Sequence, residues 1–138
     1  MIKLMMVDDD EDDRLMFEEA IEDTRLLCDL MIAVDGQDMF DLLDRTGSND
    51  LPDLILLDLN MPRMDGREAL QKIKGHTRYR SIPTVILTTS RAEEDILRSY
   101  DGGANSFIPK PVSFEGLQEK IIALTDYWFE AVKLPARS

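Results

Sequence analysis

Five side chains in this sequence stand where apolar runs end, and together they could move a phosphoryl group. Asp8 and Asp9 follow the run Ile2–Val7, and Asp58 follows Leu54–Leu57. Thr88 closes Thr84–Thr88, and Lys110 follows Ser106–Ile108 between Pro109 and Pro111. Carboxylates brought together repel: at about 4 Å two unit charges cost ~1 kcal/mol in water and several times that near a protein surface. A hard divalent ion offsets this, and Mg²⁺ takes a few carboxylates while keeping several waters. Lys110 adds a fixed positive charge and Thr88 a hydroxyl donor. A carboxylate nucleophile, a divalent cation, an ammonium and a hydroxyl are the parts phosphoryl transfer requires. The product on a carboxylate would be an acyl phosphate.

These residues meet only if the elements carrying them share one sheet edge. Apolar, β-rich runs occur at Ile2–Val7, Leu30–Val34, Leu54–Leu57, Thr84–Thr88 and Ser106–Ile108. Helical patterns lie between and after them, at 11–25, 37–45, 66–75, 92–101 and 114–132. The runs are continuous rather than alternating, as in a parallel sheet covered on both faces. Five β–α units predict a doubly wound α/β domain, with the flavodoxin-like strand order 2-1-3-4-5 one of the two common solutions. Such folds place their sites beyond the carboxyl ends of the strands, where all five residues would converge.

Each residue also has a plainer reading. Asp10 to Asp13 are expected to form the first turn of a helix, where carboxylates favour the dipole, with Asp10 as the N-cap. Asp58 alone could merely end a strand, but the tail Asn60-Met61-Pro62-Arg63-Met64-Asp65-Gly66 argues otherwise. Thr88 taken alone would pass for an ordinary strand-end threonine. Lys110 could be a solvated loop lysine, but the flanking prolines fix its loop, and a cis Lys110–Pro111 bond would aim the amine inward. His76, the only histidine, sits in a polar loop and is expected to be solvated. Cys28, the only cysteine, excludes an intramolecular disulfide and reads as a buried, inert thiol.

Composition narrows the partners. The chain has 138 residues and a formal net charge of −12. That charge argues against nucleic acid and against anionic membrane surfaces, both of which are bound through Lys and Arg. No apolar run approaches the roughly 20 residues that span a bilayer, and no signal peptide is evident. A cytoplasmic location follows by exclusion.

Taken together, Val7-Asp8-Asp9, Leu57-Asp58-Leu59-Asn60-Met61-Pro62-Arg63-Met64-Asp65-Gly66, Leu87-Thr88-Thr89-Ser90 and Gly103-Ala104 through Lys110-Pro111 resemble the response-regulator receiver family of two-component signalling. The resemblance implies the CheY-like form of the flavodoxin-like fold over residues 1–132, with 133–138 as a tail and no output domain. It implies phosphoryl transfer to Asp58 from a sensor histidine kinase or a histidine phosphotransfer protein. It also implies Mg²⁺, with Mn²⁺ able to stand in, held by Asp9, Asp58 and the backbone carbonyl of Asn60, with Asp8 acting through water. Lys110 and Thr88 would contact the phosphoryl oxygens, Phe107 would be the aromatic switch, and Asn60 and Ser90 would tune phosphate lifetime. Such a protein catalyses only its own phosphorylation and dephosphorylation, and its output passes through changed binding to another protein. The segments Leu87 to Ile96 and Tyr127 to Pro135 look like the single-domain regulators that partner bacterial phytochrome kinases, although Asp8-Asp9 stands where many relatives carry Glu-Asp.

In the last helical pattern Leu117, Ile121, Leu124 and Trp128 share a face that suits the sheet. Ile122, Tyr127, Phe129 and Val132 form a second apolar set that is harder to bury. Tyr127, Trp128 and Phe129 lie about 100° apart on a helix and cannot share one stripe. Either the helix end tucks under the tail, or these aromatics mark a homodimer or kinase contact. Two other classes remain open to test. A phosphatase with an Asp-x-Asp strand end would need a carboxylate where Asn60 stands, and a flavodoxin-like cofactor module would need a small-residue phosphate loop where Asp8 to Asp13 stand.

Overall fold

A computed structural model of the chain describes residues 2–24 and 28–135. The strands are β1 (Ile2–Val7), β2 (Cys28–Ala33), β3 (Leu54–Leu57), β4 (Thr84–Thr88) and β5 (Ser106–Pro109). The helices are α1 (Glu11–Asp23), α2 (Gly36–Arg45), α3 (Gly66–Gly75), α4 (Glu93–Asp101) and α5 (Phe114–Thr125). All strands pair in parallel in the order β2-β1-β3-β4-β5. This is the expected doubly wound fold.

The continuous apolar strands make sense once both faces are covered, because successive side chains point to opposite sides. Leu4, Met6, Leu54, Leu56, Val85 and Leu87 pack with Phe17, Ala20 and Ile21 of α1 and Leu117, Ile121 and Leu124 of α5. Met5, Val7, Ile55, Leu57 and Ile86 pack on the other face with Met39 and Leu43 of α2 and Ala69, Leu70 and Ile73 of α3. Four helix starts are side-chain capped. Asp10, Asp35, Asp65 and Ser113 each accept a backbone N–H from the first turn.

The element boundaries depart most from the sequence pattern at β2 and at the last helix; elsewhere the shifts are one or two residues, as at β5, which runs on to Pro109, and α1, which ends at Asp23. β2 begins at Cys28 and ends before Val34, because Cys28 pairs with Ile2 at the sheet edge. Cys28 is only half-buried there, rather than fully buried, and burial still pushes its thiol pKa upward. The last helix is α-helical only to Thr125, where the expected helix would have run to 132; residues Asp126–Ala131 form a wider, π-type turn. Thr125 Oγ1 donates to the carbonyls of Ile121 and Ile122, which loosens the regular ladder. The extra residue per turn rotates the end of the chain relative to the α5 face. Trp128 and Phe129 consequently both rest half-buried against the α1/α5 core, while Tyr127 stays 54% exposed and meets Trp128 edge-on.

One glycine is decisive for the site. Gly66 opens α3 beneath the β3–α3 loop, and its N–H donates to Leu59 O at 2.8 Å. A Cβ there would stand 2.0 Å from the carbonyl oxygen of Asp58. Gly66→Ala is therefore expected to cost about 2 kcal/mol or more, read as a lower midpoint in urea denaturation. An unchanged midpoint would contradict the close packing.

Candidate functional site

The carboxyl ends of β1, β3, β4 and β5 carry the five residues to one place. Asp58 N–H donates to Val7 O at 3.0 Å, which sets β3 against the end of β1. Lys110 N–H donates to Thr88 O at 2.7 Å, which does the same for β5 and β4. Carboxylate oxygens of Asp8, Asp9 and Asp58 lie within 4.8 Å of one another, with Asp8 and Asp58 buried and Asp9 exposed. Oxygen-only donors at that spacing, open to solvent on one side, fit a hard divalent cation.

Lys110 Nζ sits among carboxylates, 2.5 Å from Asp8, 2.9 Å from Asp13 and 3.6 Å from Asp58. Its side chain is almost buried, yet the ammonium stays firmly protonated. Burial opposes the charge, but the hydrogen bonds to Asp8 and Asp13 outweigh it. Burial also pushes the Asp8 carboxyl above the ordinary range, against the pull of Lys110 and of the Asp10 N–H. Leu59 N–H donates to Asp58 Oδ1 at 2.8 Å, leaving Oδ2 on the side of Lys110. The Lys110–Pro111 bond is trans, not cis as the sequence suggested. The β5 pairing already directs the lysine inward, so no isomer is needed.

Asp13 is a site residue that the sequence pattern did not reveal. Asp10 caps α1 as expected, but Asp13 does more than favour the helix dipole, because it reaches Lys110. The available signal was its place in the first turn of a helix that starts directly over the site. His76 is exposed, as expected, and stacks on the Tyr79 ring at 4.1 Å.

Thr88 is fully buried, and its Oγ1 accepts the Ser90 N–H at 3.4 Å. Among the described residues no protein group takes its hydroxyl proton. Ser90 Oγ donates to Asp95 at 2.6 Å, and Asp95 also accepts from Arg67 Nε and a terminal guanidinium nitrogen. Arg67 extends to the Asn60 side chain at 3.5 Å. Asn60 and Ser90, on different loops, are thus joined through an ion pair between α3 and α4. Phe107 is half-buried against the α2/α3 core, and its N–H donates to Tyr100 Oη at 3.2 Å.

A sequence profile described as the response regulator receiver domain matches residues 4–122. The chain belongs to the response regulator receiver family. It is 34% identical over 136 residues to the response regulator Rcp1 of Synechocystis sp., a match covering 96% of this chain and 92% of that protein. The Mn²⁺-bound crystal structure of Rcp1 superposes with a TM-score of 0.86, covering 99% of this chain and all of that one. The phosphorylated cyanobacterial phytochrome response regulator RcpA gives a TM-score of 0.89 at 33% identity, over 98% of this chain and 99% of that one. The bacteriophytochrome response regulator AtBRR gives 0.74 at 38% identity, over 90% of this chain and 92% of that one. As a receiver with the CheY-like fold, this protein is a phosphoacceptor of two-component signalling. Its acidic cluster is suited to a divalent metal. Among the described residues no helix is long and apolar enough to cross a membrane.

The Ser90–Asp95–Arg67 contacts have a pH signature. The Ser90 hydroxyl, followed by Arg67, holds the Asp95 carboxyl below the ordinary range. Its contribution to stability is therefore present above the unfolded pKa, near 3.9, and is lost as pH falls through the lower folded value. Asp95→Asn is expected to be about 1 kcal/mol less stable than wild type at neutral pH. The gap should close as pH drops below about 4 in a denaturation series. A gap constant across that range would exclude a charged partnership.

Proposed function

We propose that Asp58 is the phosphoacceptor, with Mg²⁺ held by Asp9, Asp58 and the Asn60 backbone carbonyl and with Asp8 contributing through water. The observation that carries this reading is the junction of Lys110 with Asp8, Asp13 and Asp58 beside a buried Thr88 hydroxyl that donates to no acceptor among the described residues. An Asp58 carboxylate oxygen attacks phosphorus in line, the P–N bond of a phosphohistidine breaks, and its electron pair returns to the imidazole. The bound cation would neutralise charge on the transferring group. With a phosphoryl group on Asp58, its oxygens draw the ammonium of Lys110 and accept the Thr88 proton. Turning the Thr88 hydroxyl weakens its tie to the Ser90 amide, and Phe107 is the aromatic that reports the change. Asn60 and Ser90 flank the group and set how readily water reaches it.

The donor of the phosphoryl group is a histidine kinase, or a histidine phosphotransfer protein, supplied by a partner. The likeness to regulators of phytochromes favours a phytochrome kinase. Residues 1–132 act as one cytoplasmic receiver unit with no chemistry on another substrate, and output passes through altered protein binding. Incubation with acetyl phosphate and Mg²⁺ is expected to add one phosphoryl group to the wild type and none to Asp58→Asn, read by intact mass. Stoichiometric labelling of the variant would sink the assignment.

A homodimer through the end of α5 is the second part of this reading. Of the three aromatics singled out there, Trp128 and Phe129 are half-committed to the core, so Tyr127, 54% exposed, together with Ile122 of α5, 48% exposed, is the apolar surface left for pairing. Tyr127→Glu should shift sedimentation of the phosphorylated protein from dimer to monomer. A monomer in both proteins, or a dimer in both, would count against this face.

A further inference from the structure

The β3–α3 loop, which carries Asn60, is strained at one residue and tied to the start of α2. Arg63, within it, has φ 59°, a left-handed conformation that a long side chain adopts at a cost. Its guanidinium makes a bidentate pair with Asp35, Nε to Oδ2 at 2.7 Å and a terminal nitrogen to Oδ1 at 3.0 Å. The Asp35 side chain is only 5% exposed, while that of Arg63 is 58% exposed. Most exposed ion pairs contribute little, but a fork meeting a buried carboxylate is the geometry that does.

The Asp35 end is anchored to the site. Its Oδ1 also accepts the Asp38 N–H as the α2 cap, at 2.8 Å. The strand before it, β2, is held to the acidic cluster by Asp8 N–H on Ala33 O at 3.1 Å. Beside the pair, Gly36 N–H donates to Met64 O at 3.0 Å, and a Cβ on Gly36 would lie 2.6 Å from that oxygen. The loop is thus held at Arg63 and Met64 by α2, and at its base by Gly66 on Leu59 O. Asn60 lies between these points.

We propose that Asp35 and Arg63 are a positioning pair: they hold the β3–α3 loop so that the Asn60 carbonyl is presented to a divalent cation at Asp9 and Asp58. This rests on the reading of Asp9, Asp58 and Asn60 as cation ligands. Neither Asp35 nor Arg63 is among the ligands in that reading. They act by removing freedom from a ligand that is a backbone atom and cannot be steered by its own rotamer.

Two variants separate positioning from folding. Asp35→Asn keeps a good N-cap for α2 and removes the charge. Arg63→Gly removes the guanidinium but relieves the positive φ, so the fold loses little. Mg²⁺ is titrated calorimetrically into the wild type, both variants and Asp9→Asn, and each metal-free protein is unfolded in urea. Both Asp35→Asn and Arg63→Gly should raise the Mg²⁺ dissociation constant by roughly 3- to 10-fold. The metal-free urea midpoint of Arg63→Gly should stay close to wild type. An unchanged dissociation constant in either variant overturns the proposal, and a lower midpoint with unchanged Mg²⁺ affinity would show a purely structural pair. If the wild type binds Mg²⁺ no better than Asp9→Asn, the cation reading itself fails, and this proposal with it.

Discussion

The ammonium of Lys110 is the contact on which the rest of this site depends. It stands within 3.6 Å of three carboxylates, two of them on buried residues. Asp8 and Asp58 repel each other at that spacing, and burial holds the Asp8 carboxyl above the ordinary range despite the ammonium beside it. The cluster is therefore held short of positive charge. That deficit suits the cluster to a divalent cation.

The fold serves that deficit by geometry. Parallel strands with right-handed crossovers bring every carboxyl end to one edge, and burial on both faces makes that edge rigid. The backbone bonds Asp58 to Val7 and Lys110 to Thr88 set the spacing of the charged groups before any side chain chooses a rotamer. The parts left adjustable are the loops. Thr88 and Ser90 are held by a hydroxyl and an amide, and Asn60 by a loop pinned at both ends.

This division decides how much of the site was legible in the sequence. Strand runs and the residues directly after them have a short-range signal, so β1, β3 and β4 and all five site residues could be read with the chain order alone. Asp13 was hidden because an acid in a first turn already has a local reason to be there. The pairs Asp35–Arg63 and Arg67–Asp95 each join residues 28 apart, on different elements, and no periodicity encodes them. The end of α5 eluded the helical pattern because Thr125 turns its hydroxyl onto the backbone, and the wider turn after it lets two consecutive aromatics reach one core.

The positive φ at Arg63 shows how such hidden pairs shape a site. A glycine there would meet the backbone requirement without strain, so conformation alone gives no reason for an arginine. The reason on this structure is the buried carboxylate of Asp35, whose position is in turn set by the α2 cap and by the bond from Asp8 to the end of β2. Strain at one residue is thereby exchanged for a fixed distance between the helix after β2 and the loop after β3. Because Asp8 is hydrogen-bonded to one side of that distance and Asn60 sits on the other, the ion pair and the acidic cluster are two ends of one rigid unit. Local backbone cost at Arg63 thereby accompanies a fixed placement of the loop that carries Asn60, beside the acidic cluster of Asp8, Asp9 and Asp58.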